Sequence, residues 1–297
     1  MTQPRRITPG ATVMITRRCF GRMLLLRPSK ATNELFHYLL AAAAKRCEIL
    51  IHAFCVMSNH YHCVLTDPLG KLPLFEQYLD GLVARAFNAI HGRWESFWSP
   101  GSYSAVRLLS PAAIVEKAAY VLSNPVAAGL VRRGSEWPGL WGAAGVSGGC
   151  SGRVDRPAGF FQENGCMPVF ATLVLSCPPG FESVEAFRDQ LLAAITRLED
   201  RAARKLSLRG QALQGAKRVL AQSPFARPSS NEQRRGMKPR VAERDRWKRV
   251  EALTRLAHFV SDYRRAWKDF ARGLRETVFP HGTYWMRVAH GVRCAAG

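Results

Sequence analysis

The spacing of apolar and polar positions predicts alternating strands and helices over residues 1–145. Three segments combine β-branched residues with alternation or form short apolar runs, which indicates strands: Ala11–Cys19, Glu48–Met57 and Tyr61–Thr66. Two others, Ala31–Arg46 and Leu74–His91, repeat apolar residues every three or four positions, which indicates helices. The polar residues between the second and third strands are typical of a hairpin turn.

One more strand and one more helix complete this region. Phe97–Leu109 contains alternating apolar residues and should hold a strand. Ser110 and Pro111 predict the start of a helix, because serine caps helices well and proline suits the first helical position. Asn124–Pro125 predicts its end, because the residue before proline disfavours helix. The order is that of the split βαβ pattern, so we predict a ferredoxin-like α+β fold, an antiparallel sheet with helices on one face.

The remaining chain has a different character. Residues 146–180 are punctuated by glycine and proline and predict a linker with a short hairpin at Pro168–Leu175. Beyond Phe181 apolar residues return at helical spacing among many arginines. We therefore divide the chain into an α+β domain at 1–145, a linker at 146–180 and a basic, α-helical C-terminal region at 181–297.

The net charge identifies a class of partner. The 297 residues include 43 Lys and Arg against 22 Asp and Glu, a formal charge of +21, and both halves share the excess. A polyanion is the natural partner of such a chain, and nucleic acid is the commonest one. In the C-terminal region the basic run Arg244–Arg249 indicates either a DNA-binding helix or a solvated helix face that packs through Trp247.

Two further features concern the environment of the chain. The longest apolar runs, such as Met23–Leu26, fall far short of the ~20 residues that span a bilayer, so we expect no membrane segment. The eight cysteines are sparse and form no Cys-x-x-Cys pair. That usage favours free thiols in a reducing cytoplasm.

His60 and His62 are the first candidates for chemistry. They lie two apart on a predicted strand and therefore share one face of the sheet. Two adjacent imidazoles supply half of a divalent-metal site. The alternative is a pair of half-buried strand histidines with no metal.

Tyr120 and Asn124 are the second pair of candidates. They lie four apart on the predicted helix and share one of its faces. Tyr120 falls in an otherwise apolar segment, so the alternative is a packed ring with a wet hydroxyl. Asn124 before Pro125 has the simpler interpretation of a helix-ending residue.

The two pairs together resemble the HUH single-tyrosine transposases, and most closely the REP-associated tyrosine transposases. The resemblance rests on the segments MSNHYH at 57–62 and YVLSNPVAAGLV at 120–131, and it covers roughly residues 8–142. It implies that 1–145 is a catalytic domain, that His60 and His62 are metal ligands and that Tyr120 is the nucleophile. The implied third ligand is the amide of Asn124, with Glu116 as its competitor. The implied cofactor is Mg²⁺ or Mn²⁺, both of which accept amide oxygens.

The resemblance also implies a reaction. Tyr120 attacks a phosphodiester and forms a 5′-phosphotyrosine, leaving a free 3′-OH that allows strands to be rejoined without an external energy source. Lys117, on the same helix face, is a candidate to steady the phosphate. No nucleotide cofactor is expected, because the sequence contains no Gly-rich phosphate loop.

The implied substrate is single-stranded or hairpin DNA formed by short palindromic repeats. Arginines beside aromatic residues are the expected binding surface, and the candidates are Arg17, Arg18, Arg93, Arg132 and Arg133. Each of them has the alternative interpretation of a solvated arginine. Members of the family act as monomers or as swapped homodimers, and the sequence leaves that choice open. The implied location is the bacterial cytoplasm, in association with the nucleoid.

Two other functions compete with strand transfer. The chain could be a domesticated, non-catalytic protein that binds repeat DNA and regulates it, although the presence of both histidines and the tyrosine weighs against this. It could also be a metal-dependent phosphodiesterase that uses water in place of Tyr120.

Overall fold

A computed structural model describes residues 3–101, 103–146, 151–162, 164–228 and 239–297. The strands within these ranges are β1 (Ala11–Arg18), β2 (Leu50–Met57), β3 (His60–Asp67), β4 (Ser104–Leu108), β5 (Trp141–Ala143), β6 (Gly152–Asp155), β7 (Phe170–Leu173) and β8 (Val241–Ala242). The α-helices are α1 (Lys30–Cys47), α2 (Leu72–Ile90), α3 (Pro111–Ala127), α4 (Val184–Leu208), α5 (Ala216–Ala221), α6 (Arg246–Ala271) and α7 (Trp285–His290).

The main sheet has the strand order β5-β2-β3-β1-β4-β8. All its neighbouring pairs are antiparallel except β4 and β8, which pair in parallel over two residues. The central order β2-β3-β1-β4 follows from two crossover helices, α1 between β1 and β2 and α2 between β3 and β4. This is the split βαβ arrangement, so the predicted α+β fold is confirmed.

The prediction of helices on one face holds for α1 and α2, and a correction is needed for α3. Tyr61, Cys63 and Leu65 of β3 share a core with α1 and α2. Val64 of the same strand shares a second core with α3 and α4 on the opposite face. Both faces of β3 are therefore buried, although the face that carries Val64 also carries the polar side chains of His60 and His62.

Helix α3 begins as predicted and ends later. The Ser110 hydroxyl accepts a hydrogen bond from the Ala113 N–H, and Pro111 occupies the first turn. The predicted end at Asn124–Pro125 is wrong, because the helix continues through Pro125 to Ala127. The proline lacks one N–H donor near the end of the helix, where few bonds remain to be lost, and its ring is buried with Val126 on the apolar face.

The segment after β5 contains more structure than a hairpin at Pro168–Leu175. Strand β7 lies inside that predicted hairpin, and its antiparallel partner β6 lies upstream. Ala171 and Leu173 of β7 are buried in the core around α1. The division of the chain at 145 and 180 stays a prediction.

The C-terminal region contacts the α+β domain at several places, among them the pairing of β8 with β4. Helix α4 buries Phe187 and Leu191 in the core that contains α3. Near the chain end, the Ile7 N–H donates to the Gly282 carbonyl at 2.9 Å, which joins the first described residues to the last ones. None of the helices in the described ranges offers a stretch long and apolar enough to cross a bilayer.

Gly134 marks a close approach between the segment after α3 and α3 itself. A Cβ at this position would lie 2.4 Å from the Leu122 carbonyl oxygen. We expect Gly134→Ala to lower the free energy of unfolding by roughly 1–3 kcal/mol, the usual cost of overpacking, measured by urea denaturation. The control is Gly81→Ala in α2, where the nearest atom is the flexible Arg85 side chain at 3.6 Å. That change should stabilise the protein by up to about 1 kcal/mol, and equal effects of the two changes would contradict the prediction.

Candidate active site

The two histidines of β3 lie side by side on the face that α3 covers. Their ring centroids are 4.7 Å apart and the rings are nearly perpendicular, at 87°. His62 is buried and His60 is half-buried. The strand alternation that sends Tyr61 into the opposite core brings both imidazoles to this side.

Each imidazole is oriented by a hydrogen bond at Nδ1. His62 Nδ1 lies 2.7 Å from the hydroxyl of Thr16, its register partner on β1. His60 Nδ1 lies 2.6 Å from Asn59 Oδ1, so the ring donates its Nδ1–H to this acceptor and the lone pair resides on Nε2. His62 Nε2 is buried and has no hydrogen-bond partner. A buried ring nitrogen that the protein leaves unpaired is the atom that a metal ion would use.

The electrostatics keep His62 uncharged. Burial lowers the pKa of His62 well below its usual range, and the neighbouring His60 and Arg18 lower it further. A neutral imidazole is the form that coordinates metals. Arg18 on β1 lies opposite His60 in the register of β1 against β3, and its side chain is exposed.

The Tyr120 ring lies close to His62 of the same chain. Its ring centroid lies 5.6 Å from that of His62, with 73° between the planes. The side chain is 42% exposed, so the phenol is accessible to a large substrate. The Lys117 ammonium lies 5.9 Å from the centroid of the Tyr120 ring and adds a positive charge beside the phenol.

The structure places the two candidates for the third ligand in different surroundings. The Asn124 Nδ2, a hydrogen-bond donor, is buried without a hydrogen-bond partner. The Glu116 carboxylate is held by the Arg244 guanidinium, with 3.0 Å between Oε2 and Nε. In the part of the chain that the structure describes, no three His, Cys, Asp or Glu side chains gather into a metal site.

The predicted DNA-binding arginines lie in different surroundings. Arg18 lies beside the histidines and Arg132 is exposed. Ion pairs join Arg17 Nε with Asp80 at 3.1 Å, Arg93 with Glu95 at 3.4 Å, and Arg133 with Glu199 at 3.1 Å and Asp200 at 3.3 Å.

Arg17 lies on the opposite face of the sheet from the histidines, and its role in DNA binding stays a prediction. Successive residues of a strand point to opposite faces, so Arg17 faces away from the side that Arg18 shares with the histidines. It also donates to the Gly101 carbonyl at 2.7 Å, and its side chain is only 15% exposed.

Comparisons with known proteins give partial matches in structure alone. One solved structure, a REP-associated tyrosine transposase bound to a REP hairpin, has 20% sequence identity and a TM-score of 0.40, and the match covers 46% of this chain and 81% of that chain. Another, described as a transposase candidate from Deinococcus radiodurans R1, has 19% identity and a TM-score of 0.28, with 36% of this chain and 85% of that chain covered. No protein-family model matches the sequence, and no curated protein matches it.

Proposed function

We propose that this protein is a DNA transposase of the HUH tyrosine type, which cuts and rejoins single-stranded or hairpin DNA through Tyr120. The observation that carries the proposal is the 5.6 Å approach of the Tyr120 ring to His62, whose Nε2 is buried and unpaired. The basic charge of +21 suits a nucleic-acid substrate.

Tyr120 acts as the nucleophile in this scheme. Its Oη forms a bond to the phosphorus, and the bond from phosphorus to the 3′ oxygen breaks, giving a 5′-phosphotyrosine and a free 3′-OH. The phenol loses a proton and the departing oxygen gains one, both through the solvent that reaches Tyr120. A second 3′-OH then attacks the phosphotyrosine and releases the tyrosine, so the joined strand forms without a nucleotide cofactor.

His60, His62 and Asn124 would hold a divalent cation, Mg²⁺ or Mn²⁺. When bound, such an ion offsets the charge on a non-bridging phosphate oxygen and orients the phosphate. Thr16 and Asn59 keep the two imidazoles in position through their Nδ1 contacts. Lys117 and Arg18 place positive charge where the flanking phosphates would lie.

An adduct assay tests the proposal. End-labelled hairpin DNA is incubated with the protein and Mn²⁺ or Mg²⁺, and the products are separated on a denaturing gel. A labelled band that stays with the protein supports strand transfer. Cleavage without that band would favour a phosphodiesterase that uses water, and tight binding without cleavage would favour a non-catalytic repeat-binding regulator.

The geometry also predicts that one chain assembles the whole site. The Tyr120 ring lies 5.6 Å from a histidine of the same chain, so no tyrosine from a second chain is required. We therefore expect a Tyr120→Phe chain co-expressed with a His60→Ala, His62→Ala chain to form no adduct. Recovery of the adduct in that mixture would indicate a swapped homodimer, in which one chain's tyrosine serves the other chain's histidines.

A further inference from the structure

A cavity of about 720 Å³ lies on the sheet face opposite the histidines. It is enclosed by α2, the N-terminal residues before β1, and the C-terminal helices α6 and α7. The residues that matter below are Arg17, Glu76, Asp80, Trp267, Lys268 and Trp285. None of them belongs to the site around Tyr120.

The floor of the cavity carries a buried carboxyl group with an unused oxygen. Glu76 is 2% exposed, and its Oε1 has no hydrogen-bond partner. Its Oε2 accepts from the Tyr61 hydroxyl at 3.4 Å. The neighbouring Asp80 is better satisfied, because it accepts from Tyr61 at 3.0 Å and pairs with Arg17 at 3.1 Å. A buried acceptor without a donor is costly to the free protein, so a ligand that donates a hydrogen bond there would gain affinity.

The walls and the mouth combine aromatic rings with cations. One face of α6 contributes Tyr263 and Trp267, and the exposed Arg264 and Lys268 lie next to them. Trp285, at the first turn of α7, is 53% exposed. Rings that stack on bases beside cations that contact phosphates are the features that bind single-stranded nucleic acid.

We propose that this cavity binds one unpaired DNA base that carries an exocyclic amino group, with Glu76 accepting its N–H and Trp285 stacking on its ring. Arg264 and Lys268 contact the adjoining phosphates. The proposal rests on the proposed function, because it concerns the DNA that would be presented to Tyr120.

The end of β1 connects the cavity with the histidine site. Arg17 and Arg18 are consecutive, so their side chains lie on opposite faces of the sheet, one lining the cavity and the other beside His60. A single strand that passes around this end of the sheet would contact both arginines. The cavity could then bind a base on one side of the cleavage position while Tyr120 attacks the phosphodiester.

The test uses short fluorescent oligonucleotides of deoxycytidine and of deoxyuridine, which differ at the amino group and the ring nitrogen beside it. Anisotropy titration of the full chain should give about tenfold tighter binding of oligo-dC, the value of a hydrogen bond to a buried group. Glu76→Gln should bind the two oligonucleotides within about twofold of each other, because a rotating amide serves either base edge. Equal binding by the wild-type protein, or a preference that survives in Glu76→Gln, would overturn the proposal.

A second variant avoids the buried position. Trp285→Ala removes an exposed ring and should weaken oligo-dC binding about tenfold. Trp247→Ala, which removes a 74% exposed ring outside the cavity, should keep the preference for oligo-dC. Unchanged oligo-dC affinity in Trp285→Ala would contradict the proposal.

The Tyr120 adduct is measured on the same preparations. If the wild-type protein forms the adduct but shows no preference for oligo-dC, only the proposed base-binding role of the cavity is refuted. If it prefers oligo-dC but forms no adduct, only the proposed strand transfer is refuted.

Discussion

Replacing Tyr120 with phenylalanine should abolish the covalent protein–DNA adduct while leaving DNA affinity within about threefold, because phosphate contacts by Lys and Arg carry most of the binding. The change removes one oxygen, the atom that would join the phosphorus. The ring itself stays beside His62, where the 5.6 Å contact does not depend on the hydroxyl. The measurement is the adduct band on a denaturing gel, with anisotropy titration of the same hairpin DNA for affinity.

Tyr78→Phe is the matched control for this experiment. Tyr78 lies on α2, on the opposite side of the sheet, and its hydroxyl contacts the Met167 sulfur at 3.2 Å. The control protein should form as much adduct as the wild type. If the Tyr120→Phe protein still forms an adduct, another nucleophile is at work and the proposed mechanism is wrong.

Removing both histidines should eliminate cleavage and metal binding together. In His60→Ala, His62→Ala we expect the cleavage rate to fall by roughly 10²–10⁴-fold, the size of a several-kcal/mol loss of charge stabilisation. The second readout does not depend on activity. Mn²⁺ should raise the melting temperature of the wild-type protein, since an ion that binds only the folded state stabilises it, and it should not do so in the double variant.

His258→Ala controls for the loss of an imidazole as such. His258 is exposed on α6. This variant should retain both cleavage and the Mn²⁺-dependent rise in melting temperature. A double variant that is still stabilised by Mn²⁺ would show that the ion binds elsewhere, whatever the cleavage rate.

Local signals made the α+β part of the fold predictable. The bounds of β1, α1, β2 and β3 could be assigned within a few residues. Apolar residues recur in them at the spacing of a strand or of a helix, and polar residues mark where each element ends. The start of α3 could be assigned for a different reason. Ser110 and Pro111 form a local signal that needs no knowledge of the rest of the chain.

Tertiary packing decided what the pattern could not. Pro125 disfavours helix locally, yet its burial on α3 outweighs the loss of one hydrogen bond. The second helical layer could not be foreseen from β3, because the face that α3 covers carries His60 and His62 beside Val64 and therefore resembles a solvent-facing side. The opposite directions of Arg17 and Arg18 could have been foreseen, since consecutive strand residues never share a face. Asp80, the partner that holds Arg17, could not, because it lies on a distant helix.

The main residues of the candidate site could be predicted from the sequence, but the residues that hydrogen-bond its two imidazoles could not. His60, His62 and Tyr120 stand out as a motif at a fixed spacing, and the structure places them together. Thr16 and Asn59 carry no such signal. Thr16 meets His62 only through the register of β1 against β3, and a shift by one residue would put another side chain there.

Strand β3 pairs along its length with β2 on one side and β1 on the other. A strand held from both sides opens only when the whole domain opens, whereas a helix that covers a sheet can fray on its own. The two imidazoles lie on a strand that is hydrogen-bonded from both sides and the phenol lies on a helix, so we expect slower amide exchange in β3 than in α3. Heating short of full denaturation should therefore separate nucleophile from ligands before it separates the ligands from each other.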